Sequence, residues 1–202
     1  MDNLIKFSAN TLLSVILVVL LAGCKPSNQG RPLKNQPVQK TPEAQSESET
    51  VVPGKWDYHV EADEMGRGDV KFAATISINT VSFDFPYQGE QRAILLLRSS
   101  SESGESVILS IEKGQYLTKG DLCLLTVRFD ENKPIFFLAH VPEDRRTTSL
   151  IIESRSLGSS APFVTSLISS KKLKIEAPFY QEGKRIFEFN VDSLVWDSSA
   201  TK

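Results

Sequence analysis

The chain carries two cysteines and two histidines in 202 residues. Exported proteins stapled by disulfides hold an even set of bridged cysteines, so one cysteine with another task removes that framework. A zinc centre needs three or four convergent Cys, His or carboxylate ligands. His59 and His140 fall in different expected strands, so no metal ligand set is expected. Neither sign of charge dominates: 23 Lys and Arg stand against 25 Asp and Glu, a net charge of −2. A nucleic-acid surface would need a basic excess, so no nucleic-acid partner is expected. "LGSSAP" lacks the Gly-x-Ser-x-Gly spacing that lifts a nucleophilic serine onto a sharp turn. The expectation is therefore no cofactor, no metal and no catalytic residue. A hydrolase of envelope polymer is an alternative. It would need a cleft holding a carboxylate or histidine of displaced pKa.

Long hydrophobic runs are also scarce. One stands out, "TLLSVILVVLLA" at residues 11–22, behind a short start carrying Lys6. It is about a dozen residues long, the size of an export-signal core. A spanning helix needs about 20 apolar residues to cross roughly 30 Å of hydrocarbon. The run ends in Leu21-Ala22-Gly23-Cys24, which resembles the bacterial lipobox. That resemblance implies cleavage between Gly23 and Cys24 and acylation of the Cys24 thiol. Several acyl chains, at about 0.8 kcal/mol per buried methylene, make a durable membrane anchor. Lys25 stands where an Asp would imply inner-membrane retention. The resemblance thus favours the outer membrane facing the periplasm in a Gram-negative host, or the cell surface in a Gram-positive one.

Residues 1–23 are read as the signal and 24–53 as a lipidated cysteine followed by a tether. The tether has no aromatic residue and holds Pro26, Pro32, Pro37, Pro42 and Pro53. Such a segment buries too little apolar surface to offset its ordering entropy. It spans on the order of 30 Å root-mean-square and at most about 100 Å. Residues 54–197 form the expected globular domain, and 198–202 a tail. A domain of about 145 residues can rest on its apolar core alone.

Within the domain, short β-branched and aromatic runs alternate with turn signals, which is the all-β pattern. "VKFAATISINTVSFDF" (70–85) reads as one long strand or two. "RAILLLRS" (92–99), "SVILSIE" (106–112), "DLCLLTVRFD" (121–130), "PIFFLAHV" (134–141), "TSLIIES" (148–154), "KLKIEAPF" (172–179) and "RIFEFNVDSLVW" (185–196) follow. Period two puts Cys123, Leu125, Val127 and Phe129 on one face, and Leu122, Leu124, Thr126, Arg128 and Asp130 on the other. Phe163, Leu167 and Ile168 have helical spacing, with Ser160 as N-cap and Pro162 in the first turn. The expected fold is all-β, a β-sandwich or distorted barrel of about eight or nine strands with one short helix.

Five side chains are singled out as a partner surface. Arg98, Arg128 and Asp130 follow apolar strands, where charges pair across neighbours or present a guanidinium fork to a partner's carboxylate. Tyr87 in "FDFPYQG" and Tyr180 in "PFYQEG" sit beside turns that can expose them. Cys123, at an apolar position, reads as a small buried hydrophobe.

The segments "WDYHVEADEM", "FDFPYQGEQRAILLLR", "VILSIEKGQYL", "LTVRFD" and "KIEAPFYQEGKRIFEFNVDSLVW" together resemble a family of exported proteobacterial proteins over Trp56–Trp196. The layout is similar, more distantly, to type VI secretion accessory proteins of the VasI/TagO kind. The first resemblance implies a cysteine near position 118 bridged to the one matching Cys123. Thr118 stands there instead, so that disulfide is not expected. Neither resemblance brings a catalytic residue. Both imply an envelope domain with a binding or accessory role; joined to the lipobox, the expectation is a membrane-anchored periplasmic lipoprotein whose domain binds another envelope protein. A secretion-system accessory or periplasmic immunity lipoprotein is the alternative.

Overall fold

A computed structural model describes residues 52–153 and 160–197. The signal, Gly23, Cys24, residues 25–51 of the tether and the tail lie outside the described residues. No helix among those described is long and apolar enough to cross a membrane.

The chain is all-β, built as eleven strands and one helix among the described residues. The strands are β1 (Asp57–Glu61), β2 (Val70–Ile76), β3 (Val81–Phe83), β4 (Gly89–Gln91), β5 (Ala93–Ser100), β6 (Gly104–Ile111), β7 (Leu122–Phe129), β8 (Ile135–His140), β9 (Ser149–Glu153), β10 (Lys172–Phe179) and β11 (Gly183–Asn190). The helix α1 is Ala161–Ile168. Nine strands make one antiparallel sheet in the order β1-β2-β5-β6-β9-β8-β7-β10-β11, and β3 pairs with β4 in a separate ribbon. The run at 70–85 is therefore two strands. The small ribbon accounts for the excess over the expected eight or nine.

Register explains why these runs become strands of one sheet. Ala73, Leu97, Val107, Ile152, Ala139 and Cys123 lie side by side across β2, β5, β6, β9, β8 and β7. All six are buried. They form one layer of the core, and each two-residue step along a strand adds another.

The sheet is sandwich-like and not a closed barrel. β2 and β11 stand near its opposite ends, yet the Ile78 amide, just past β2, donates to the Glu188 carbonyl of β11 at 2.7 Å. The sheet must double back for those groups to meet. Asn79 stitches the same seam: its amide nitrogen donates to the Ile186 carbonyl at 2.9 Å, and its amide oxygen accepts the Glu188 N–H at 2.7 Å. Asn79→Ala removes both bonds and is expected to cost about 1–2 kcal/mol in urea unfolding. Hydrogen exchange should then rise at Glu188 before it rises in β5 and β6.

Three elements cover the concave side. Phe163, Val164 and Leu167 of α1 are buried, and the Phe163 ring meets Phe129 at 5.3 Å and Phe137 at 5.2 Å. Ser160 occupies the N-cap position but makes no side-chain cap. Its hydroxyl donates instead to the Ile152 carbonyl at 2.6 Å, tying the helix start to β9. The last described residues return over the sheet, where the Trp196 indole donates to Glu105 at 2.6 Å. The β3–β4 ribbon is held by Phe83, whose ring lies 4.9 Å from that of Phe179.

Candidate functional site

The two tyrosine-bearing turns come together. β10 and β11 join through Tyr180, Gln181 and Glu182, a three-residue hairpin loop with Gln181 at φ 60°. The β3–β4 ribbon joins through residues 84–88, closed by the Tyr87 N–H donating to the Asp84 carbonyl at 2.9 Å. Glu182 locks the two loops together. One carboxylate oxygen accepts the Asp84 N–H at 2.7 Å, and the other accepts from Arg185 at 3.0 Å. The Tyr180 N–H donates to the Gln115 carbonyl at 2.9 Å, adding a third segment. Between them lies a cleft of about 200 Å³ lined by Phe85, Pro86, Tyr87, Gln115, Tyr180, Gln181 and Glu182.

Phe85 is 81% exposed and Tyr180 50% exposed, whereas Tyr87 packs partly against the core. The phenols of Tyr87 and Tyr180 and the carboxamides of Gln115 and Gln181 make no hydrogen bond among the described residues. The only charged group lining the cleft, Glu182, is committed to Asp84 and Arg185. Phe85, Gln115 and Gln181 escape a reading of the sequence, because periodicity does not reveal which loops meet.

Arg98, Arg128 and Asp130 stand elsewhere. Arg98 and Arg128 share the convex face, but β6, β9 and β8 separate their strands. Neither pairs across to a neighbouring strand. Arg98 donates to Ser103 in its own turn, and Arg128 donates to the Asp130 carbonyl at 3.0 Å and to Glu131. Asp130, at φ 48°, accepts the backbone N–H of Lys172 at 2.8 Å and of Lys171 at 2.9 Å. These bonds, Lys172 first, hold its carboxyl below the ordinary value of 3.8. Its contribution to stability is present above pH 3.8 and is lost as pH falls through the depressed folded value. Asp63 titrates in the same sense, through the Met65 N–H and Arg67. Unfolding curves taken from about pH 6 to pH 2 are expected to fall less steeply below about pH 4 in Asp130→Asn. Asp63 contributes to the slope that survives.

Cys123 is buried, and burial pushes its thiol up to about 11. His59 lies exposed on β1, with Nε2 3.5 Å from Glu61. No group of three or more Cys, His, Asp or Glu among the described residues is arranged to hold a metal.

The convex face supplies a second feature. Ala74, Leu96, Ile108, Ile151, His140 and Leu122 lie side by side across β2, β5, β6, β9, β8 and β7. Leu124 opposes Leu138 beside this row, and Phe136 opposes Thr126. Leu124, Phe136 and Leu122 are 55%, 47% and 40% exposed. An antiparallel sheet with one solvated face normally alternates apolar-in with polar-out. Here the central strands are apolar on both faces. The sign is legible in "AILLLRS" and "LCLLTV", where neither parity is polar.

The chain matches no family model, no curated protein and no solved structure.

Proposed function

We propose that this protein is a lipid-anchored, non-catalytic binding module of the cell envelope. Acyl chains on Cys24 hold it to the outer membrane, residues 25–53 give it reach, and the β domain docks an envelope protein. The observation that carries this reading is the cluster of exposed apolar side chains Leu122, Leu124 and Phe136 on the β7–β8 end of the convex face. A contiguous exposed apolar patch rimmed by polar groups is the usual mark of a protein interface. Beside it Arg145 pairs with Asp121 at 3.2 Å, and His140 Nδ1 lies 3.4 Å from Glu153. The face therefore suits an uncharged, apolar partner surface. Confinement to a membrane raises the local concentration of module and partner, so a modest affinity suffices.

The test is a photo-crosslinking side chain placed at Leu124 or Phe136 of the full-length lipoprotein in cells, with exposed Glu112 as the control position. One protein captured at 124 and 136, absent at 112 and lost in Cys24→Ala, is the expected result. An identical pattern at all three positions removes the docking face. Capture of a second copy of the chain replaces the envelope partner by self-association.

A further inference from the structure

We infer that the Tyr87–Tyr180 cleft is a carbohydrate site that takes one uncharged sugar ring of a glycan. This inference is independent of the convex docking face. The cleft leaves several polar side chains unspent. Phenolic and carboxamide groups each donate and accept hydrogen bonds. Tyr87, Tyr180, Gln115 and Gln181 therefore offer four such groups, none used within the described residues. A ligand that satisfies them must both donate and accept at several points around a small body, as the hydroxyls of a sugar do.

The apolar component points the same way. Phe85, at 81% exposed, and Tyr180, at half, both line the cleft. An aromatic ring left in water at a loop tip loses hydration cost when it is covered, and its negative π-face attracts the weakly positive C–H bonds on one face of a pyranose. The site is also pre-formed. The Glu182 bonds to Asp84 and Arg185, the Gln115–Tyr180 bond and the Phe83–Phe179 contact fix both loops before any ligand arrives. That spares the ordering cost a mobile site would meet. A charged ligand has no counter-ion here, because the carboxylate of Glu182 is already matched by Arg185. About 200 Å³ admits one ring, so neighbouring sugars of a chain would lie outside the cleft.

The experiment titrates chitotriose, cellotriose and maltotriose into the full-length chain, held in a detergent without a sugar headgroup. Saturation-transfer NMR and calorimetry provide the readouts. Saturable binding of at least one trisaccharide is expected, with the strongest transfer to the protons of a single ring. Tyr87→Ala with Tyr180→Ala should weaken it roughly tenfold or more, and Tyr180→Phe, which keeps the ring, by less. Cooperative unfolding curves show that the fold survives in these variants, with a lowered midpoint where Tyr87, which packs partly against the core, is truncated. Leu124→Asp should leave glycan affinity unchanged. Absence of saturable binding by all three glycans overturns the proposal. Binding indifferent to Tyr87 and Tyr180 overturns it too, as does saturable binding of a peptide of residues 32–53 in their place.

Discussion

Phe179→Ala is expected to destabilise the domain by about 3–5 kcal/mol, the cost of truncating a fully buried phenylalanine. For a chain of this size the midpoint of thermal unfolding should fall by about 10 °C. The reason lies in what the ring touches. Its centroid is 4.7 Å from that of Tyr116, 4.9 Å from Phe83 and 6.0 Å from Phe187. Four rings from four segments meet at one end of the core, so no single neighbour can move into the space without abandoning another. Phe83 is the anchor of the β3–β4 ribbon, so the loss should not be uniform. Amide exchange is expected to accelerate first in residues 81–91, well before β5 and β6. A uniform acceleration would mean that the ribbon is not held through Phe179. Loss of the ribbon's anchor should also weaken the Tyr87–Tyr180 cleft, whose walls are the two loops that this cluster supports.

Gly114→Ala carries the second large effect, about 2–4 kcal/mol, and Gly89→Ala separates its causes. Both glycines have φ values that side-chain-bearing residues rarely adopt, 123° and 113°. They differ in surroundings. A Cβ at Gly114 would lie 2.8 Å from Ile111 Cδ1 and 2.8 Å from Phe83 Cε2, both buried, while a Cβ at Gly89 meets nothing within 4 Å. Gly89→Ala therefore reads the backbone conformation alone, at about 1–2 kcal/mol. The excess at Gly114 reads the collision with the core. Equal destabilisation in chemical unfolding would show that the Phe83 ring yields freely, against its close tilted contact with Phe179.

Much of the fold was legible because strands advertise themselves by period two. The alternation in 121–130 assigned Cys123, Leu125, Val127 and Phe129 to one face, and all four are buried. The helix was legible from the spacing of Phe163 and Leu167 and from Pro162. Ser160 was legible as a boundary but not in its bonding, because the Ile152 carbonyl that takes its proton belongs to a different strand. β3 and β4 are three residues each, too short for a period to show. Arg98 and Arg128 looked like partners across strands, yet each found its acceptor in its own turn. Local closure costs less chain entropy than fixing two long side chains across a sheet.

The sequence by itself determined the longer strands of the main sheet, the single helix, the tyrosine-bearing turns and the apolar character of the central strands. It could not determine which side of those strands faces the core. In "AILLLRS", Leu95 and Leu97 are buried while Ile94 and Leu96 lie on the convex side, though all four are equally apolar. Period two yields two faces and does not rank them when both are greasy. Only tertiary packing ranks them: Phe163 of α1, Phe83 of the ribbon and Trp196 of the closing segment all settle on one side. That packing leaves Leu122, Leu124 and Phe136 exposed on the other side, and brings Tyr87 to Tyr180 across a distance in sequence that no local pattern spans.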